Sequence, residues 1–215
     1  MKRLAKPTLL LILPFLIACG SSQDKANGPE TELAGDEADE TNLDYTEPTG
    51  LNPADTVVNM SVTEVNDRLR EHAQVLVSTY LEMGEALVQE DIATAKSRAE
   101  QVREILERHE QENLDLEQEV KVFYTEAAHI IREGAQNALL ADQSQPVRTA
   151  YAAMAPAAYR LARIADFDGE TLFYHFCPEA LDGEGAYWLS RSEEVKNPYL
   201  TSQEQKSCGK LVTRL

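Results

Sequence analysis

Four residues near the end of the chain have side chains that can do chemistry together: His175, Cys177, Glu179 and Cys208. They lie in FYHFCPEALDGEGAYWLSRSEEVKNPYLTSQEQKSCGK, residues 173–210, beside the single tryptophan, Trp188, and the turn Asn197-Pro198-Tyr199. Three chemistries are open to Cys177 and Cys208. They can close a disulfide. They can act as thiolates in a metal site with His175 and Glu179, a Cys/His/carboxylate set of the kind that Zn(II) takes in tetrahedral array. On a strand, His175 and Cys177 share a face, so both could reach one ion. Redox catalysis is the third, but neither cysteine sits in a Cys-x-x-Cys or a βαβ pattern.

The compartment bears on this choice, and the start of the chain speaks to it. Lys2, Arg3 and Lys6 precede an apolar run, TLLLILPFLIA, residues 8–18. At about a dozen residues the run is short for a membrane span and reads as a secretory signal. Its end, Leu16-Ile17-Ala18-Cys19, resembles the lipobox of bacterial lipoproteins. That resemblance implies cleavage before Cys19 and lipid on its thiol, a signal peptide over residues 1–18, and a membrane anchor. Gly20 follows Cys19 where some lineages read Asp as an inner-membrane signal, so the outer membrane is favoured by analogy. With Cys19 consumed by lipid in an oxidising envelope, Cys177 and Cys208 remain as an even pair.

The formal net charge is −17, and removing Lys2, Arg3 and Lys6 with the signal takes it to −20. Such a body repels nucleic acid and offers it no basic footprint. Residues 19–58 are rich in Gly, Ser, Asp, Glu, Thr and Pro, with almost no apolar periodicity. They read as an acidic disordered tether, with an r.m.s. reach of roughly 35 Å. Residues 59–215 are left to form one domain with its own core.

The elements that must position the cysteines are mostly helical. Ser61-Val62-Thr63-Glu64 fits a capping box, opening a helix to about residue 90 with Val62, Val65, Leu69, Ala73, Leu76, Tyr80, Met83 and Leu87 on one stripe. Asp91 can cap a second helix, with Ile92, Ala95, Ala99, Val102 and Leu106 inward. A third is expected from Leu114 to Leu140, with Leu116, Val120, Phe123, Ala127, Ile130 or Ile131, and Ala135 inward. Ser144 can cap a fourth, with Val147, Tyr151, Met154, Ala158, Leu161 and Ala165 inward and Pro156 a kink. Short links make these an up-down four-helix bundle. After Asp168, TLFYHF, AYWLS and KLVTRL have β character and LDGEGA supplies turn residues. They predict a small C-terminal β or loop cap that carries both cysteines and buries Trp188 at the joint.

Nothing on the helices reads as catalytic. His72, His109 and His129 are scattered singly and read as edge or surface histidines, and Met83 and Met154 as core. Glu126-Ala127-Ala128-His129 is a single Glu-x-x-His where a di-iron bundle needs two, and there is no phosphate loop or nucleophile elbow. Asn197-Pro198-Tyr199 reads as a structural turn, with Tyr199 able to pack on Trp188.

In the C-terminal block, Cys177-Pro178, Trp188-Leu189-Ser190, Asn197-Pro198-Tyr199 and Cys208-Gly209 follow in order at near-regular spacing. With YLEMGEALVQEDIATAKSRAEQV (80–102) and VRTAYAAMAPAAYRL (147–161), whose Arg-x-x-aromatic step is part of the pattern, this series resembles an uncharacterised helical domain of bacterial cell-envelope proteins. That domain occurs alone in lipoproteins and fused to periplasmic adaptor subunits of heavy-metal (copper/silver) efflux pumps of the CusB kind. The resemblance covers roughly residues 65–213 and implies metal handling in the envelope, with efflux components as partners. Its members carry a methionine after Cys-Pro and another before Cys-Gly, a soft set suited to Cu(I). Here Glu179 follows Cys177-Pro178 and no methionine precedes Cys208, a departure that shifts the set from Cu toward Zn. The expected function is therefore a non-enzymatic, periplasm-facing accessory or binding module linked to copper-type metal handling. The alternative is an envelope protein-interaction module whose two cysteines only cross-link the fold.

Overall fold

The computed structural model describes residues 65–112, 114–165, 167–201 and 207–215. The signal segment, Cys19, the tether and the box at Ser61 to Glu64 lie outside the described residues. Among the described residues, no helix is long and apolar enough to cross a membrane.

Four long helices make up most of the domain: α1 (Asp67–Val88), α2 (Ile92–Glu110), α3 (Gln118–Leu140) and α4 (Ser144–Ala162). The first begins later than its sequence predicts. Val65 and Asn66 are not helical, and Asn66 is the N-cap, its Oδ1 accepting from the Leu69 N–H at 2.9 Å. A tertiary bond fixes that choice, since Asn66 Nδ2 also donates to the Leu114 carbonyl at 2.9 Å. Residues 114–117 are not helical, so α3 opens four residues after Leu114. The N-cap of α4 is Gln143, not Ser144. Asp91 caps α2 as expected, accepting from the Thr94 N–H at 2.9 Å. The helix α4 is continuous through Pro156.

Three residues join α1 to α2. The Asp91 N–H bonds to the Ala86 carbonyl and the Glu90 N–H to that of Leu87, a six-to-one and five-to-two pair that ends the helix. Glu90 takes the left-handed conformation, φ 62°, at the position where glycine is usual. Each helix packs on the next in sequence, and α1 packs on α4. The apolar stripes face inward as their periodicity requires: Leu69, Leu76, Leu87, Ala95, Val102, Ile131, Val147, Met154 and Leu161 are all fully buried. Of the pair Ile130 and Ile131, it is Ile131 that is buried.

A three-stranded antiparallel sheet follows, formed by β1 (Phe173–Cys177), β2 (Ala186–Ser190) and β3 (Lys210–Arg214) in the order β2-β1-β3. Thus β1 is central, with His175 opposite Trp188 on one side and Leu211 on the other. The β1–β2 connection passes through a short helical turn, Ala180–Gly183, in which Leu181, Asp182 and Gly183 all have positive φ. β2 packs on α4 and α1, so the sheet caps the helices with Trp188 buried between them. β3 is different in kind. Lys210, Val212 and Arg214 are exposed and the residues between them only half-buried, so few apolar contacts hold this edge.

Candidate functional site

The residues singled out in the C-terminal block converge in the cap. Cys177 and Cys208 form a disulfide, with Cα atoms 5.6 Å apart, joining the end of β1 to the residues just before β3. This outcome settles the use of the sulfurs. Each is bonded to the other, so neither is a thiolate and neither can ligate a metal in this state. Glu179 is exposed on the turn after β1. His175 is fully buried, with Nε2 donating to the Ser192 carbonyl at 3.2 Å and its ring stacked on Trp188 at 5.2 Å. Burial lowers its pKa, so the ring is neutral, and Nδ1 carries a lone pair with no hydrogen-bond partner. Among the described residues, no group of three or more His, Cys, Asp or Glu side chains is placed to hold a metal ion. The set His175, Cys177, Glu179 and Cys208 is therefore not assembled as a ligand cage.

The turn residues are structural in a specific way. Asn197 is fully buried, and its amide makes three bonds. Nδ2 donates to the Cys208 carbonyl at 2.8 Å, and Oδ1 accepts from the N–H groups of Tyr199 at 2.8 Å and Leu200 at 3.2 Å. One side chain thus shapes the turn and ties it to the disulfide. Tyr199 packs edge-on against Trp188 with centroids 5.8 Å apart, and its hydroxyl donates to the Tyr187 carbonyl. Gly209 has φ 150°, and a β-carbon there would press on the Trp188 ring at 2.7 Å.

Behind the turn lies Arg148, which is 1 % exposed. Its guanidinium reaches from α4 to two backbone carbonyls, Leu87 at the end of α1 at 3.1 Å and Pro198 in the turn. Desolvation lowers its pKa, but an arginine stays charged at neutral pH. Tyr80 and Tyr151 stack on each other at 4.3 Å. No hydrogen bond joins their hydroxyls in this geometry, and burial raises the pKa of both.

At the other end of the α1–α2 pair is a cluster that a residue-by-residue reading missed. His72 and His109 are buried rather than at an edge or surface, and they stack face to face at 3.4 Å. His72 Nε2 meets a Glu112 carboxylate oxygen at 3.2 Å, and His109 Nδ1 meets the Tyr124 hydroxyl at 3.1 Å. His109 and Tyr124 line a cleft of about 600 Å³ between α2, the link after it and α3. The stripe spacing contained the signal: Val102, Leu106 and His109 continue one face of α2. His129 is exposed, as expected.

Burial, reinforced by the neighbouring His72, lowers the His109 pKa to about 4, whereas an unfolded histidine titrates near 6.5. Between these values the unfolded chain takes up a proton that the folded chain refuses. The stability contributed by neutral His109 is complete above pH ~6.5 and is lost as pH falls toward ~4, a difference worth up to roughly 3 kcal/mol and about 2 once solvent screening at the edge of the cleft is allowed for. Urea unfolding at pH 7, 5.5 and 4.5 should show this decline, and His109→Gln should flatten it. Parallel declines in both proteins would assign the slope to carboxylates instead.

No protein family, no curated protein and no solved structure matches the chain. The site must be read from its own geometry.

Proposed function

We propose that this chain is a non-enzymatic interaction module of the bacterial cell envelope. In this reading the four helices run up and down as a bundle, and the cap is a cross-linked recognition platform. Lipid on Cys19 holds the protein to a membrane, the outer one favoured, and the acidic tether lets the domain face the periplasm and reach a protein partner. The observation that carries it is the Cys177–Cys208 disulfide. Disulfides persist in oxidising compartments, which agrees with the secretory signal and lipobox read at residues 1–19. The short α1–α2 link and the packing of α1 on α4 support the bundle.

A second reading keeps the copper-type metal handling that the family resemblance implies, with Cu or Zn delivered to efflux components. One observation favours it: the buried His175 has a free ring nitrogen and lies on the same strand face as Cys177. It requires the disulfide to open, because a metal takes thiolates.

One experiment separates the two. The protein is extracted from the membrane fraction in mild detergent without reductant and weighed intact under native and then denaturing conditions. The expected mass lies two hydrogens below the reduced value, with no bound ion. A reduced mass that carries one Cu or Zn, and loses it on denaturation, would replace the interaction module with the metal reading. Lipid labelling lost in Cys19→Ala checks the anchor.

A further inference from the structure

Where α1, α4 and the cap meet there is a second cleft, of about 280 Å³. Leu81, Val88 and Leu189 give it apolar walls. Tyr151 and Trp188 also line it. Both are buried, Trp188 to 2 % exposure, and neither the Tyr151 hydroxyl nor the Trp188 Nε1 has a hydrogen-bond partner. The hydroxyl sits over Gly84, another lining residue, in space that a β-carbon would fill.

Most of the free polar capacity of this cleft donates, although the Gln89 amide that also lines it can both donate and accept. An indole N–H only donates. Ser190 Oγ already accepts the Ser192 N–H at 3.0 Å, and Ser192 Oγ accepts the Glu194 N–H at 3.1 Å, so each hydroxyl proton remains to be given. The lining carboxylate, Glu85, is taken up by Arg191 at 3.1 Å. Lys196, on the rim, has only a loose and exposed contact with Glu194 at 3.5 Å. Buried donors without acceptors are uncommon in folded proteins and call for a partner. A molecule that brings oxygen acceptors on an apolar body meets these donors and the apolar walls. The volume, just below the usual range for drug-sized ligands, suits a single ring or a short chain.

We propose that this cleft binds a small carboxylate with an apolar body, its oxygens accepting from Tyr151 and Trp188 and its charge opposed by Lys196. This goes beyond the interaction-module reading and does not depend on it, because a module can hold its protein partner whether or not the cleft is filled.

Trp188 is the only tryptophan, so its fluorescence reports the cleft directly. Titrating the purified full chain with hexanoate should change that emission saturably. Tyr151→Phe and Lys196→Gln should each raise the dissociation constant about tenfold, and the uncharged 1-hexanol should bind about tenfold more weakly than hexanoate. The two variants should unfold at the native midpoint or above it, since one removes an unpaired hydroxyl and the other an exposed charge. The proposal is overturned by an unsaturable response, by equal affinity for 1-hexanol, or by unchanged hexanoate affinity in Tyr151→Phe.

Discussion

The double variant Cys177→Ala/Cys208→Ala should melt roughly 6–16 °C below the native protein. The cysteines are 31 residues apart, and cross-linking such a loop removes about 3–4 kcal/mol of unfolded-state entropy by the chain model. At this domain size each kcal/mol shifts the midpoint by about 2–4 °C. Alanine is the right replacement because Cys177 is fully buried and a serine hydroxyl there would need a partner. The loss should concentrate in β3. That edge has no fully buried residue of its own. It is held by its ladder to β1, by paired bonds between Leu172 and Leu215, and by the disulfide and the Asn197 bond just before it. Hydrogen exchange should therefore rise first at residues 210–215. Calorimetry of the double variant, and of the native protein under reductant, should agree. A midpoint within a degree or two of native would mean that the cross-link does little for the fold.

How far this architecture could be read in advance depended on whether an element was decided locally. The helical stripes were readable because burial follows a 3.6-residue period, and Leu69, Leu76, Val102 and Val147 obey it. Asp91 was readable because a cap bonds two or three residues away. Asn66 against Ser61 was not, because the deciding bond runs from Asn66 to Leu114, far along the chain. The strands were visible in composition, but their order was not. β1 became central only because β3 returns to its free edge. The cysteines left three chemistries open in the sequence, and a pairing across 31 residues answered for the disulfide. The stacked pair of His72 and His109 depends on how α1 and α2 register against each other, which neither stripe specifies alone. Arg148 ran against a sound general rule, that arginines are almost never fully buried. It stood in the sequence only as the first residue of an Arg-x-x-aromatic step, with nothing local to say that it would turn inward.

Arg148→Ala should destabilise the domain by about 3 kcal/mol, as much as opening the disulfide. Two effects oppose each other here. A buried guanidinium carries a desolvation penalty, so an apolar replacement of similar volume is often neutral. Against that stand hydrogen bonds to a charged donor, worth about 1.5–3 kcal/mol each. Position favours the charge too. Leu87 lies in the last turn of α1, where the carbonyls present the negative end of the helix dipole. The two acceptors also differ in what they would lose. The Leu87 carbonyl still receives the Glu90 N–H at 3.1 Å, whereas the Pro198 carbonyl is buried with the turn. Alanine removes the donor and leaves a cavity between α4, the end of α1 and the turn. Methionine fills much of that space and isolates the loss of the bonds, so Arg148→Met should cost about 1–2 kcal/mol. Lysine keeps the charge but not the planar fork, and should fall between them. Urea denaturation of the three variants at pH 7 gives the order. If Arg148→Met equals or exceeds the native protein, desolvation has won and the guanidinium is not a net stabiliser. In that case the turn should keep its place through Asn197 alone, and Asn197→Ala would become the larger loss.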